Sequence, residues 1–224
     1  VLGNIKIRRE ETALDETTVR EACIELLETE GIPLLPERLA LLDRHAALVR
    51  EWNAHTSLVS RGDVDHIWRA HLADSLSLAG AVLRTAGPTA RYVDIGSGAG
   101  FPGITLKAVL PGLQVTLIER SVKRSAFLRK VLGALRLGDV RLVTAEFPRE
   151  VGLEDAEVIT ARAVENPTRV VRAIAVAIPR EAVYLCQSGN PRDRVPTTFH
   201  VEQIEDTWTR RGIRRGSLFL VRQP

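Results

Sequence analysis

Asp94-Ile95-Gly96-Ser97-Gly98-Ala99-Gly100-Phe101-Pro102-Gly103 is the stretch on which the fold turns. A short run rich in β-branched and aromatic residues, 91–96 (RYVDIG), leads into it, and an apolar helix-like run, 102–110, leads out of it. Glycines at a strand-to-helix turn let the backbone bend sharply and admit a ligand where a Cβ would block it. Downstream, β-rich runs at 114–119, 140–145, 157–162 and 182–187 alternate with helical patterns at 121–137 and 167–178. Two further runs, 199–206 and 217–222, read as a closing antiparallel pair. That alternation predicts an α/β domain with a mostly parallel, doubly wound sheet.

Upstream of the glycine stretch the texture is helical. Residues 19–30 carry Ala22, Ile24, Leu26 and Leu27 among carboxylates, with Thr17 or Thr18 as the expected cap and Glu21 completing a capping box. Residues 36–53 repeat Leu39, Leu42, Ala46, Val49 and Trp52 on one helical face. A third helix is expected over 65–83, and Gly87-Pro88 ends the segment. The organisation predicted is a helical N-terminal cap, 1–88, followed by a main domain, 89–224. Gly189 to Val195 is the expected mobile loop.

Open α/β sheets bind ligands beyond the carboxyl ends of their strands, which is where the glycines fall. Gly98, Gly100 and Gly103 fit GxGxxG, so a dinucleotide stays open on pattern alone. Asp94, two residues before the first glycine, would face a pyrophosphate unfavourably but suits the ammonium of a methionine moiety. S-adenosyl-L-methionine is therefore the preferred cofactor, with Gly96, Ser97, Gly98, Gly100 and Phe101 as binding candidates. Glu119 closes the second strand, where a carboxylate can accept both ribose hydroxyls. Ala145 and Glu146, after the third strand, stand where an adenine ring would pack. A surface carboxylate is the plainer reading of either Glu alone.

The two cysteines, Cys23 and Cys186, lie far apart and form no ligand spacing, so no metal is expected. No apolar run is long enough to span a bilayer and residues 1–18 carry no apolar leader, so the expected location is cytoplasmic. A formal net charge of +3 permits nucleic-acid binding without requiring it. Basic groups gather at Lys6, Arg8 and Arg9, at Arg120, Lys123, Arg124, Arg129 and Lys130, and at Arg210, Arg211, Arg214 and Arg215. Any one such cluster can equally be a solvated face. His71 and Asp74 share a helical face. They read first as a polar contact between cap and main domain, with a direct role in the site as the alternative.

Residues 92–107 (YVDIGSGAGFPGITLK) closely resemble the glucose-inhibited division protein B family of 16S rRNA (guanine-N7) methyltransferases. Trp52-Asn53, the HLADSL run at 71–76, KRSAFL at 123–128 and TARA at 160–163 agree with that family's pattern. The resemblance implies a Rossmann-like class I methyltransferase with an antiparallel last strand. It places cofactor contacts on Gly96, Phe101, Ala145, Glu146 and Arg162, and brings Arg162, otherwise a plain strand-end arginine, into the active site. It implies 16S rRNA or a small-subunit particle as partner; a monomer is expected. Methylation at guanine N7 needs no general base, because the nitrogen carries a free lone pair.

Departures fall on the substrate side. Ser57, Val59 and Ala70 stand where the family has Asn, Thr and Arg, and Cys186-Gln187-Ser188-Gly189 replaces a Lys-Gly pair. A diverged member, a small-molecule methyltransferase, an NAD-binding oxidoreductase and a non-catalytic RNA-binding relative therefore stay open.

Overall fold

A computed structural model describes residues 14–162, 164–187, 189–214 and 216–224. The Lys6, Arg8 and Arg9 cluster, Ala163, Ser188 and Arg215 lie outside the described residues.

Helix α1, Glu16–Thr29, starts earlier than the sequence pattern suggested. Asp15, not a threonine, is its cap: the carboxylate accepts from Thr18 N at 2.9 Å and from Thr18 Oγ1 at 2.9 Å. Thr18 is thus inside the first turn, and Asp15 satisfies the orphan N–H there. Helix α2, Pro36–Asn53, keeps its expected bounds, with proline in its first turn.

The third expected helix is broken. Trp68–Leu72 forms a π-helical turn, followed by α3, Ala73–Leu76, and α4, Ala79–Ala86. Side-chain hydroxyls compete with the helical ladder here: Ser75 Oγ donates to His71 O at 2.6 Å and Ser77 Oγ to Asp74 O at 2.8 Å. The π turn is held from outside by Glu16, whose two carboxylate oxygens accept from Trp68 N and Arg69 N, each at 3.0 Å.

Strands β1 (Arg91–Ile95), β2 (Gln114–Ile118), β3 (Arg141–Val143), β4 (Val158–Ala161), β5 (Val183–Cys186), β6 (His200–Ile204) and β7 (Leu218–Arg222) form one sheet. Its order is β3-β2-β1-β4-β5-β7-β6. Neighbours among the first five pair in parallel, and β7 lies antiparallel between β5 and β6. Helices α5 (Gly103–Val109), α6 (Val122–Ala134) and α7 (Pro167–Ala177) connect the parallel strands. The fold is therefore the Rossmann-like α/β sheet expected, with an antiparallel closing strand.

One sheet face and the N-terminal helices share a single apolar core. Leu26, Leu42, Leu72 and Leu76 pack in the same cluster as Tyr92, Leu106, Leu117 and Phe127. The other face buries Ile95, Ile118, Ile159, Val171, Ile174 and Tyr184. Trp208, in the short helix α8 (Thr207–Arg210), is fully buried and donates from Nε1 to Glu30 Oε1 at 3.2 Å, tying the chain's last segment to α1. Arg214 belongs to this seam: it is 3% exposed and donates to Asp206 and Thr209. Arg211 pairs with Glu25 at 2.9 Å. Arg210 donates to Thr207 Oγ1 at 3.3 Å, so three of the C-terminal arginines that read as an RNA cluster have protein partners.

Lys107 is a buried cation of the main domain. Its ammonium donates to Pro111 O and Leu113 O, both at 2.7 Å, and to Asp139 Oδ2 at 2.6 Å. It pins the α5–β2 turn to the turn before β3, and its hydrogen bond, with its charge, holds the Asp139 carboxyl below its usual pKa. Lys107→Met would leave buried carbonyls without a donor, so it should cost about 2–3 kcal/mol of stability. Asp139→Asn, at an exposed partner, should cost under about 1 kcal/mol. Urea denaturation of the two variants checks the contrast; equal losses would assign the stabilisation to the ion pair instead.

Candidate functional site

The glycine loop between β1 and α5 is shaped by backbone demands. Gly96 has φ 72° and Gly100 has φ 87°, conformations that side chains resist. Space is also closed: a Cβ on Gly96 would stand 2.8 Å from Val164 Cγ1, and one on Gly100 would stand 2.6 Å from Ile104 Cδ1. At Gly103 the limit is close approach alone, since a Cβ would collide with the Leu117 side chain.

Two carboxylates hold this loop. Asp94 Oδ2 accepts from Gly103 N at 3.2 Å. Glu119 Oε2 accepts from Gly98 N at 2.9 Å, and its Oε1 accepts from Ser121 N at 2.8 Å. Ser97 is buried and donates from Oγ to Asp94 O at 2.9 Å. Asp94 itself is fully buried beneath the loop, not on a cleft wall. Its Oδ1 accepts from Thr160 Oγ1 at 3.1 Å, because the parallel register sets Asp94 beside Thr160 on β4. Burial pushes its carboxyl up to about 6.

A cleft of about 150 Å³ opens beside the loop at the carboxyl ends of β1 and β2. Gly96, Glu119, Ala145 and Glu146 line it together. Ile118, Phe147 and Val170 supply apolar walls, while Arg120, Arg124 and Arg169 stand around it. Sequence spacing gave no sign of Phe147 or Val170, whose apolar side chains carry no polar signature. Glu146 is engaged on both of its functional groups: its N–H donates to Glu150 Oε2 at 2.8 Å, and its carboxylate pairs with Arg169 at 3.6 Å. Arg120 meets Glu165 at 2.6 Å. Ser97, Gly98, Gly100 and Phe101 do not line this cleft.

Phe101 instead belongs to a second group of side chains. Its ring stacks on His71, with centroids 5.2 Å apart and planes 9° from parallel, and packs against His45 at 4.7 Å. The Arg162 guanidinium lies 5.9 Å from its ring centroid. Arg162 follows β4, and its side chain is 15% exposed. It donates from Nη2 to His71 Nδ1 at 2.9 Å and from Nη1 to Asp74 Oδ2 at 3.4 Å. Since an arginine only donates, His71 Nδ1 accepts, and the neutral ring carries its proton on Nε2. Burial and the neighbouring Arg162 push His71 down to about 4. Burial likewise lowers the Arg162 pKa. The π turn and α3 thus bring His71 and Asp74 onto one arginine, 91 and 88 residues away in sequence. Gln187, beyond β5, donates to Asp74 O at 2.8 Å. His45, on an apolar helical face, carried no sequence signal.

Asp94 generates a pH test. Its folded pKa of about 6 lies above the unfolded value of about 3.9. The folded state therefore holds the extra proton, and this group's contribution to stability falls as pH rises from about 4 to about 6. Asp94→Asn can keep the network, accepting from Gly103 N and donating to Thr160 Oγ1. The variant should gain roughly 1–3 kcal/mol on the parent between pH 4 and pH 7, read from thermal melts across that range. A difference that does not change with pH would refute the assignment.

Residues 38–195 match the family described as rRNA small subunit methyltransferase G (GidB). A ribosomal RNA small subunit methyltransferase G from a Bradyrhizobium species is 36% identical over 170 residues, covering 72% of this chain and 72% of that protein. Another, from Bradyrhizobium diazoefficiens, is 45% identical over 104 residues, which span 45% of this chain and only 38% of that protein. The one from Roseiflexus castenholzii is 40% identical over 146 residues, 63% of this chain and 61% of its own. Among solved structures, a mutant of MtNAS in complex with S-adenosylmethionine superposes with a TM-score of 0.54 at 19% identity, covering 96% of this chain and 86% of its own. A putative S-adenosylmethionine-dependent methyltransferase from Methanococcus maripaludis gives 0.52 at 15% identity, over 80% of this chain and 91% of its own. Those two likenesses establish the fold alone. On the extent of the family match and the identity to the Bradyrhizobium relative, this chain belongs to the GidB family of rRNA small subunit methyltransferases.

Proposed function

We propose that this chain transfers the methyl group of S-adenosylmethionine to N7 of a guanine in small-subunit ribosomal RNA. The observation that carries the reading is Glu119, fixed by Gly98 N and Ser121 N at the edge of an apolar-walled cleft. Each carboxylate oxygen spends one lone-pair direction on a backbone N–H and keeps another for a ribose hydroxyl. Ile118, Phe147 and Val170 offer surfaces for a flat heterocycle, and Gly96 lets it approach the backbone. The residues present therefore fit the cofactor. When bound, it supplies an electrophilic methyl on a sulfonium.

The protein's own contribution is placement. Arg162, held by His71 and Asp74, stands beyond the loop with Phe101 stacked beneath the histidine. We assign this group to the substrate side, where a cation and an aromatic face can orient a guanine and exclude water. His71 and Asp74 act through Arg162. No group has to take a proton from N7, and His71, neutral at physiological pH, is not positioned as a base. Exposed Lys123 and the arginines at 120 and 124 offer phosphate contacts. We place the activity in the cytoplasm, on ribosomal particles. No helix among the described residues is long and apolar enough to cross a membrane.

Calorimetry with S-adenosylmethionine, with NAD as the control, tests the cofactor. Glu119→Ala leaves two N–H groups unpaired and removes the ribose acceptor, so affinity should fall about 10–100-fold. Methyl transfer from labelled cofactor to small-subunit particles, with the product base identified after RNA hydrolysis, tests the substrate. Cofactor binding without 7-methylguanine would sink the substrate assignment, and NAD binding in place of S-adenosylmethionine would sink the whole reading.

A further inference from the structure

We infer that His45 is a positioning residue for the cofactor loop: from α2, its imidazole fixes the Ala99 carbonyl and the Phe101 ring, and through them the affinity for S-adenosylmethionine. The inference rests on the cofactor reading proposed above.

His45 is fully buried on the α2 face that also carries Leu42, Ala46 and Val49. An aliphatic residue would fill that position without loss of solvation. The imidazole instead reaches out of the helical layer, and its Nε2 lies 2.8 Å from Ala99 O. A carbonyl only accepts, so Nε2 carries the proton and Nδ1 is left as an acceptor. Nδ1 is buried without a hydrogen-bond partner among the described residues, a cost taken on for the single bond to the loop. Burial holds the ring neutral, with its pKa lowered to about 4.

That bond acts where the loop's own backbone bonds do not. Gly100 N donates to Ser97 O, and Ile104 N donates to Gly100 O; the Ala99 carbonyl is answered by His45. The same ring packs on Phe101 and closes the space over Gly100, where a Cβ would stand 3.2 Å from Nε2. Ala99 lies one residue beyond Gly98, whose N–H is bound by Glu119. A shift of the Ala99 peptide therefore moves the donor that orients the ribose-binding carboxylate. It also moves Phe101, on which His71 stacks.

Two amides separate positioning from bulk packing. In His45→Gln the amide nitrogen falls near the Nε2 position and can still donate to Ala99; in His45→Asn it falls near Nδ1 and cannot. Both place an amide in the same buried site, so a merely structural role predicts similar melting temperatures and similar cofactor affinities. Positioning predicts that His45→Gln keeps the parent Kd within about threefold, while His45→Asn weakens it about tenfold or more. With RNA substrate the loss should appear in KM for S-adenosylmethionine. If His45→Asn does not fold, His45→Phe replaces it, since it keeps the ring stack and lacks the donor. Parent affinity in a folded Asn or Phe variant overturns the inference, as does equal weakening by Gln. Failure of the unaltered chain to bind S-adenosylmethionine would overturn the cofactor reading and the inference with it.

Discussion

The structure depends on a glycine loop whose backbone donors end on carboxylates. Asp94 on β1 takes the N–H of Gly103, and Glu119, just after β2, takes the N–H of Gly98. The two strands are parallel neighbours, so both carboxylates arrive at the same end of the sheet. Between them they fix where the loop leaves β1 and where α5 begins. Crowding does the rest: Val164 closes on Gly96 and Leu117 on Gly103, so the loop has little room to take another path. An unpartnered carboxylate at the depth of Asp94 would be costly to ionise. Its bonds from Gly103 and Thr160, and the field of Arg162, each offset part of that cost.

This constraint explains why some of the site is readable in sequence. The glycines are demanded locally by backbone angle and space, so their spacing alone points to a ligand-bearing turn. Glu119 is legible because it ends a strand adjacent to that turn. Asp94 is legible as an acid near the site, but its role depends on Thr160, 66 residues away, and only strand register brings the two together. Arg162 depends in the same way on His71 and Asp74, and a family resemblance was needed to single it out. The π turn that presents His71 is set by Glu16 in α1, a contact 52 residues long that no local pattern encodes. His45 hides because a helical face of leucine, alanine and valine reads as core whatever the fourth residue does. The short C-terminal arginine run misleads for the opposite reason. Charge reads as solvent-facing, yet Arg214 is buried against Asp206 and Thr209.

The N-terminal helices are consequently part of the candidate site. They share one apolar core with the sheet. They also make polar contacts at the carboxyl end of the sheet, from His45 to the loop, from His71 and Asp74 to Arg162, and from Asp74 O to Gln187. Each contact crosses from the helical layer to the sheet's carboxyl edge. A change in how that layer packs would therefore reach both the cofactor loop and the proposed substrate side.

The departures from the family pattern can be weighed on the same physical footing. Asn53 at the end of α2 accepts from Leu58 N at 2.9 Å and Val59 N at 3.0 Å. The loop that follows is held through its backbone amides, so exchanging the side chains at Ser57 and Val59 leaves that restraint intact. Gln187 follows the same logic. Standing where the family pattern has a Lys-Gly pair, it donates a neutral N–H to Asp74 O and keeps α3 in place without bringing a second cation beside Arg162. Backbone contacts thus hold the proposed substrate side in this chain, while its charge differs from the family pattern. Divergence of this kind bears on the proposed substrate side around Arg162, and leaves untouched the carboxylates that fix the glycine loop.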